Sequence, residues 1–160
     1  MTHYNWGPAT GQDVDSIVTM AESHFQTEID NIFNPDPIAY ARNITLAIDN
    51  QFYLPTTSLV AIAKDDKKLL AYTWMSVERA PWSDDNMATV RMAHVDLSLP
   101  VKTRIKLVQD MFSIWENFAN ISNIPIICST TMRKDQDGFL KLHERNGYDV
   151  RGSYAYKKLT

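Results

Sequence analysis

Four histidines, one cysteine and a few well-spaced carboxylates are the residues of this sequence whose types suit chemistry. His94 and Asp96 stand two apart in Thr89–Leu99 (TVRMAHVDLSL), a run that suits a long strand. A period of two puts both on one face. A base oriented by a neighbouring carboxylate is a sound device for taking a proton. The same spacing, with Met92, also fits the solvent face of an antiparallel strand. Glu78, closing a preceding hairpin, is a further candidate base. His143 has a ring that can donate a proton near neutral pH, or it caps the end of its helix. His3, His24, His94 and His143 have no metal-ligand spacing with Cys128, so no zinc site is expected. Cys128 lies in the apolar run IPIICS and reads as a core residue rather than a nucleophile. There is no Gly-x-Ser-x-Gly elbow, no phosphate-binding Walker loop and no dinucleotide fingerprint.

The elements that must position these residues belong to a chain of 160 residues, 44% hydrophobic and 22% charged, with a net charge of −3. That length predicts one domain over residues 1–160. A domain of this size buries roughly 68–70% of its unfolded surface, enough for a full core. No Lys/Arg run exceeds two, which argues against a nucleic-acid partner. A lone cysteine makes no internal disulfide. The opening MTHYNWGPATGQDVD has neither the basic nor the apolar region of a signal peptide. No window approaches the ~18 apolar residues of a membrane span. A soluble, cytoplasmic protein without a membrane partner is expected.

Residues 3–7 suit a short strand. Asp13 then caps a helix whose inner face is Val14, Ile17, Val18, Ala21 and Phe25. Asn34-Pro35-Asp36-Pro37 is a turn with Asp36 as cap and Pro37 at the first position of a second helix. Its apolar face is Ile38, Ala41, Ile44 and Ile48. Ser58–Ala63 and Leu69–Val77 flank a polar turn and read as a hairpin. A loop over 80–86 leads to the strand carrying His94. After Pro100 comes the clearest helix, with Val101, Ile105, Val108, Phe112, Trp115 and Ala119 as one stripe. Ile124–Ser129 suits a buried strand, Asp135–Asn146 a helix ending at a left-handed Gly147. Tyr148–Val150 and Tyr154–Leu159 suit two closing strands. The order β-α-α-β-β-β-α-β-α-β-β predicts a mixed sheet in an α/β (α+β) domain.

This order resembles that of the GCN5-related N-acetyltransferase (GNAT) superfamily over nearly the whole chain. The run Gly138–Leu159, GFLKLHERNGYDVRGSYAYKKL, carries the likeness most clearly. Leu142-His143-Glu144-Arg145-Asn146-Gly147-Tyr148 looks like the family's helix end and Gly-aromatic step, and Tyr154, Tyr156, Lys157 and Leu159 like its closing strand. The resemblance implies a mixed, V-split central sheet flanked by helices, with acetyl-CoA seated in the gap. It implies transfer of the acetyl group to a small amine or a protein amino group. A general base takes the amine proton, backbone N–H groups hold the oxyanion, and a side-chain acid, often Tyr, protonates the thiolate.

Two departures from the family pattern stand out. The family's Arg/Gln-x-x-Gly-x-Gly/Ala loop lets backbone N–H groups wrap a pyrophosphate at a helix N-terminus. The corresponding run here, Pro100–Leu107 (PVKTRIKL), has no glycine, and its side chains crowd the approach. Lys102, Thr103, Arg104 and Lys106 are the residues left to hold the cofactor, or are a solvated helix face. The family's Tyr is replaced by His143, and an amide seven residues earlier by Gln136. The strand corresponding to the one with His94 and Asp96 faces the cleft in the family.

Two readings follow. One is an acetyl-CoA-dependent N-acetyltransferase. The other is a catalytically inactive GNAT-like binding or assembly protein, such as a phage virion component, in a homo-oligomer or larger assembly. Trp74, Trp82, Tyr154 and Tyr156 are then the contact aromatics, or else finish the chain's own core. Trp74 and Trp82 alternatively line a substrate mouth, beside the acidic pair Asp84-Asp85. The missing glycines predict weak or absent acetyl-CoA binding.

Overall fold

Chain order sets the sheet. In the computed structural model, which describes residues 3–159, five strands lie side by side in the order in which they occur. They are β1 (Asn5–Pro8), β2 (Ser58–Asp65), β3 (Lys68–Arg79), β4 (Asn86–Val95) and β5 (Ile126–Ser129). The first three pairings are antiparallel and the last, β4 with β5, is parallel. Helices α1 (Val14–Thr27) and α2 (Pro37–Tyr53) cover one face, with Ile17, Ala21 and Ile44 packed on Val60, Ile62 and Tyr72. Helix α3 (Val101–Ile121) and the short α4 (Asp137–Arg145) cover the other, over Leu70, Met75, Ala88 and Val90. This is the mixed, helix-flanked sheet the element order predicts.

Asp36 caps α2 as its sequence signal predicts, whereas Asp13, at the start of α1, makes no side-chain cap bond to that helix. Asp36 Oδ1 accepts from the Ile38 and Ala39 amides at 3.0 and 3.1 Å, and Pro37 sits in the first turn of α2. Asp36→Ala is expected to cost about 1 kcal/mol in a denaturant melt; no change would mean that water replaces both bonds. Asp13 accepts from the Thr10 amide at 2.8 Å and pairs with Lys64. Burial works against its charge, but Lys64 and Thr10 outweigh that and hold its carboxyl below the usual range. Gly147, at φ +84°, takes the left-handed position past α4.

Five expectations need correction. On α3 the buried line is Leu107, Met111, Trp115 and Phe118, flanked by Phe112 and Ala119, whereas Val101 and Ile105 are exposed. A helix of 21 residues is about 31 Å long. Burial begins only at Leu107, so the first turn and a half projects past the sheet. Ile38 is likewise exposed at the start of α2, where only Ile44, Ala47 and Ile48 are buried. The strand β4 begins three residues before Thr89 and stops at Val95, leaving Asp96 in a turn. Neither Tyr148–Val150 nor Tyr154–Leu159 forms a strand: nothing pairs with them, and Tyr154 and Tyr156 are exposed. Cys128 is half-buried, because β5 has a strand neighbour on one side only.

Candidate active site

The site begins at a register fault. On β3, Trp74 faces Met92 while the next residue, Met75, faces Val90, so Arg91 is an extra residue on β4. Such a bulge bends its strand and sharpens the local twist. The β4–β5 ladder ends at the same level, with Val90 against Ser129. Beyond it β4 runs on to Val95 with no strand on that side among the described residues. Where β5 has ended, a cavity of about 300 Å³ opens, walled by Val90–His94, by 130–133, by His24 and Phe25 of α1 and by Glu28 just past its end.

Side chains of this chain already occupy the open edge of β4. Arg133 donates through Nη2 to the Ala93 carbonyl. His24 donates through Nε2 to the Val95 carbonyl at 2.7 Å. Glu28 joins the two: its Oε2 accepts from Arg133 Nε and from His24 Nδ1, both at 2.8 Å. A carbonyl and a carboxylate only accept, so each ring nitrogen of His24 faces an acceptor. Burial disfavours the Glu28 charge, yet His24 and Arg133 together hold its carboxyl below the usual range. The Arg133 guanidinium also lies 4.2 Å from the Phe139 ring.

His94 stacks on His24 with ring centres 4.1 Å apart. Its Nδ1 meets the Tyr72 hydroxyl at 2.7 Å, which in turn meets the Tyr40 hydroxyl at 2.9 Å. Burial, then the charges of His24 and Arg133, push His94 well below the ordinary histidine range, so its ring is neutral. Its Nε2 has no hydrogen-bond partner among the described residues and is not sealed in the interior; the residue lines the cavity.

The other candidates lie elsewhere. Asp96 does not join His94: once the strand has ended, its carboxylate turns to Ser98 (2.6 and 2.9 Å) and Lys68 (3.0 Å). Nor is His94 on a solvent face, for α1 covers it. Glu78 is tied to Arg91 and Thr89 near the hairpin's end. His143 is buried between α4, Phe112 and Tyr148. Its Nδ1–H donates to the Phe139 carbonyl and its Nε2 accepts from Ser129 Oγ, both at 2.8 Å. Burial foremost, and Arg133 after it, lowers its affinity for a second proton. Gln136 caps α4 by position, without a side-chain bond. Lys102 and Thr103 stand at the start of α3, whose first amides no side chain caps. Arg104 donates to the Leu99 carbonyl, and Lys106 lies over the Tyr4 ring. Trp82 is exposed in its loop, and Trp74 packs beside Tyr40 with its indole nitrogen unpartnered. Among the described residues no three His, Cys, Asp or Glu side chains cluster to hold a metal, and no helix is long and apolar enough to cross a membrane.

Sequence reasoning misses Tyr40, Tyr72, Glu28 and Arg133. His24 and Glu28 were legible as a helical i, i+4 pair. Arg133, which reaches Glu28 across 105 positions, left no local signal.

No protein-family model matches the sequence, and no curated protein is significantly similar to it. Solved structures are similar over almost the entire chain. A predicted acetyltransferase from Clostridium acetobutylicum, crystallised with acetyl-CoA, matches with a TM-score of 0.70 at 15% identity, over 98% of this chain and 97% of the other. An aminoglycoside antibiotic 6′-N-acetyltransferase from Acinetobacter baumannii matches at 0.69 and 14%, over 99% of both. A transcriptional regulator from Bacillus halodurans matches at 0.73 and 13%, over 98% and 100%. The chain has the fold of the GNAT acetyltransferases.

Proposed function

We propose that this protein transfers an acetyl group from acetyl-CoA to an amine, with the thioester in the gap between β4 and β5. The observation that carries this reading is the cavity at the Arg91 bulge, where neutral His94 presents an unpartnered nitrogen. The acceptor is a small amine or a protein amino group; the similarity to an aminoglycoside acetyltransferase supports the amine class. In the transfer the amine nitrogen bonds to the thioester carbon, the C–S bond breaks, and the thiol leaves with a proton drawn ultimately from the amine.

The fit to acetyl-CoA is uneven along its length. At the acyl end the cavity and His94 suit a thioester. At the other end the uncapped start of α3 suits an anion, with Lys102 and Thr103 beside it. Pro100 offers no N–H there, and no glycine opens the backbone. The Ala93 and Val95 carbonyls of the β4 edge are engaged by Arg133 and His24, so an arriving pantetheine finds these acceptors taken. Weak donor binding is therefore expected. Calorimetric titration should give a dissociation constant well above the low micromolar range, and a low-micromolar value would overturn the argument from the glycine-free loop. Lys102→Ala should weaken binding by up to about fivefold, the scale of one exposed charge, while Lys106→Ala, which acts on Tyr4, should leave it unchanged.

The function itself is tested by thiol release from millimolar acetyl-CoA in the presence of an aminoglycoside, a lysine peptide and simple primary amines. Amine-dependent release supports transfer. Release no faster than the amine-free background with every acceptor would favour the inactive, binding reading instead.

A further inference from the structure

The row Tyr40–Tyr72–His94 has only two consistent hydrogen arrangements. In one, Tyr40 donates to Tyr72 and Tyr72 donates to His94 Nδ1. In the other the direction is reversed, His94 Nδ1–H donates to Tyr72, and Tyr72 donates to Tyr40. Tyr40 has no second side-chain partner among the described residues. The reversed row therefore leaves its hydroxyl hydrogen with no acceptor among the described residues, beside the half-buried Phe25 and Trp74 rings. A polar hydrogen stranded in such surroundings costs about 1–3 kcal/mol. The first arrangement uses both hydroxyl hydrogens, and burial keeps both hydroxyls protonated. With Nδ1 accepting, the one hydrogen of a neutral imidazole sits on Nε2. That nitrogen is the one on the cavity side.

We propose that His94 is a hydrogen-bond donor and not a base: its Nε2–H, fixed by Tyr72 and Tyr40 behind it, points into the cavity at the carbonyl oxygen of the acyl thioester. This rests on the acyl-transfer reading. As the amine attacks, the C–N bond forms and the C=O electron pair moves onto oxygen, where the Nε2–H bond strengthens with the growing charge. When the C–S bond breaks, that pair returns. His94 neither gains nor loses a proton, and the amine proton passes to solvent. The surroundings favour this role. His24 stacks on the ring, held by Glu28 and the Val95 carbonyl, and the Arg133 cation stands across the gap. Burial and a guanidinium nearby oppose a second proton on the ring, and the guanidinium favours an oxyanion near it. Tyr72 and Tyr40 are positioning residues.

The test starts with the protein alone, ¹⁵N-labelled at histidine. Long-range ¹H–¹⁵N correlation spectra between about pH 6 and 8 should show His94 neutral with hydrogen on Nε2. In Tyr72→Phe the Nδ1–H form of His94 should appear. Hydrogen on Nδ1 in the wild type, or a doubly protonated His94, overturns the donor role whatever the protein catalyses. Saturating acetonyl-CoA, a ketone that cannot transfer its acyl group, should then shift the His94 Nε2–H signal. A bound analogue with no shift overturns the proposal. The expected tautomer with no binding of the analogue overturns the acyl-transfer reading, and with it the oxygen assigned to the donor. Where transfer is seen, His94→Ala should lower kcat about 10²-fold. His94→Gln retains an N–H at a similar reach and should stay within about tenfold of wild type; a base would lose as much in both variants.

Discussion

Phe112→Ala should destabilise the fold by about 3–5 kcal/mol, the range for a large aromatic removed from a tight core. The ring is 3% exposed and sits where three elements meet. It packs edge-on against Trp115 of its own helix (4.9 Å between centres), His143 of α4 (4.8 Å) and Tyr148 beyond it (5.5 Å). Alanine would leave a void bordered by stiff rings, and stiff rings collapse poorly into a void. The same contacts hold α4 and Tyr148 against α3, so the loss should fall on the docking of α4 as well as on global stability. Chemical denaturation followed by tryptophan fluorescence measures the first, and amide exchange at Leu142 and His143 the second. A global loss below about 1 kcal/mol would mean that the core re-forms around the gap.

Local rules made the helices and the hairpin legible before any coordinates. Asp36-Pro37 marks the start of α2, Gly147 the end of α4, and a polar turn between two β-rich runs gives β2 and β3. What the sequence could not yield is what depends on distant partners. On α3 the stripe that starts at Val101 and Ile105 is exposed there and buried only from Phe112 onward, with Leu107 and Met111 buried beside it; where along the helix burial begins depends on what packs against it. Tyr154 and Tyr156 alternate as a strand should, but alternation makes no ladder without a neighbour. His94 shows the same limit at the site. Its sequence neighbour Asp96 suggested a dyad, yet the strand stops between them and gives His94 partners from α1, α2 and β3 instead. The Arg91 bulge beside the gap is a mismatch of register between two strands, and neither strand announces it alone.

Glu28→Ala is the sharpest test of what holds that gap. Arg133 and His24 now share one carboxylate oxygen at 2.8 Å each; the substitution strands the Arg133 cation and takes away the Nδ1 partner of His24. Removing one partner of a fully buried pair costs about 3–5 kcal/mol, because the remaining charge stays desolvated. Glu28 is 24% exposed and Arg133 16%, so solvent screens part of this, and about 2–3 kcal/mol is expected at pH 7. The dependence on pH has a definite sign. The Glu28 carboxyl is held below its ordinary value, so its contribution is complete above the unfolded range near ~4.3. It is lost as pH falls through the lowered folded value. Wild type and Glu28→Ala should therefore differ most at neutral pH and converge under acid, when the wild-type carboxyl also becomes neutral. Urea melts of both proteins at pH 7 and at successively lower pH measure the difference directly. Glu28→Gln should fall between them, since an amide oxygen still accepts a hydrogen bond but carries no charge to balance Arg133. A gap between the curves that stays constant into acid would show that Glu28 acts through packing alone. In that case neither Arg133 nor His24 would depend on it for its place at the edge of β4.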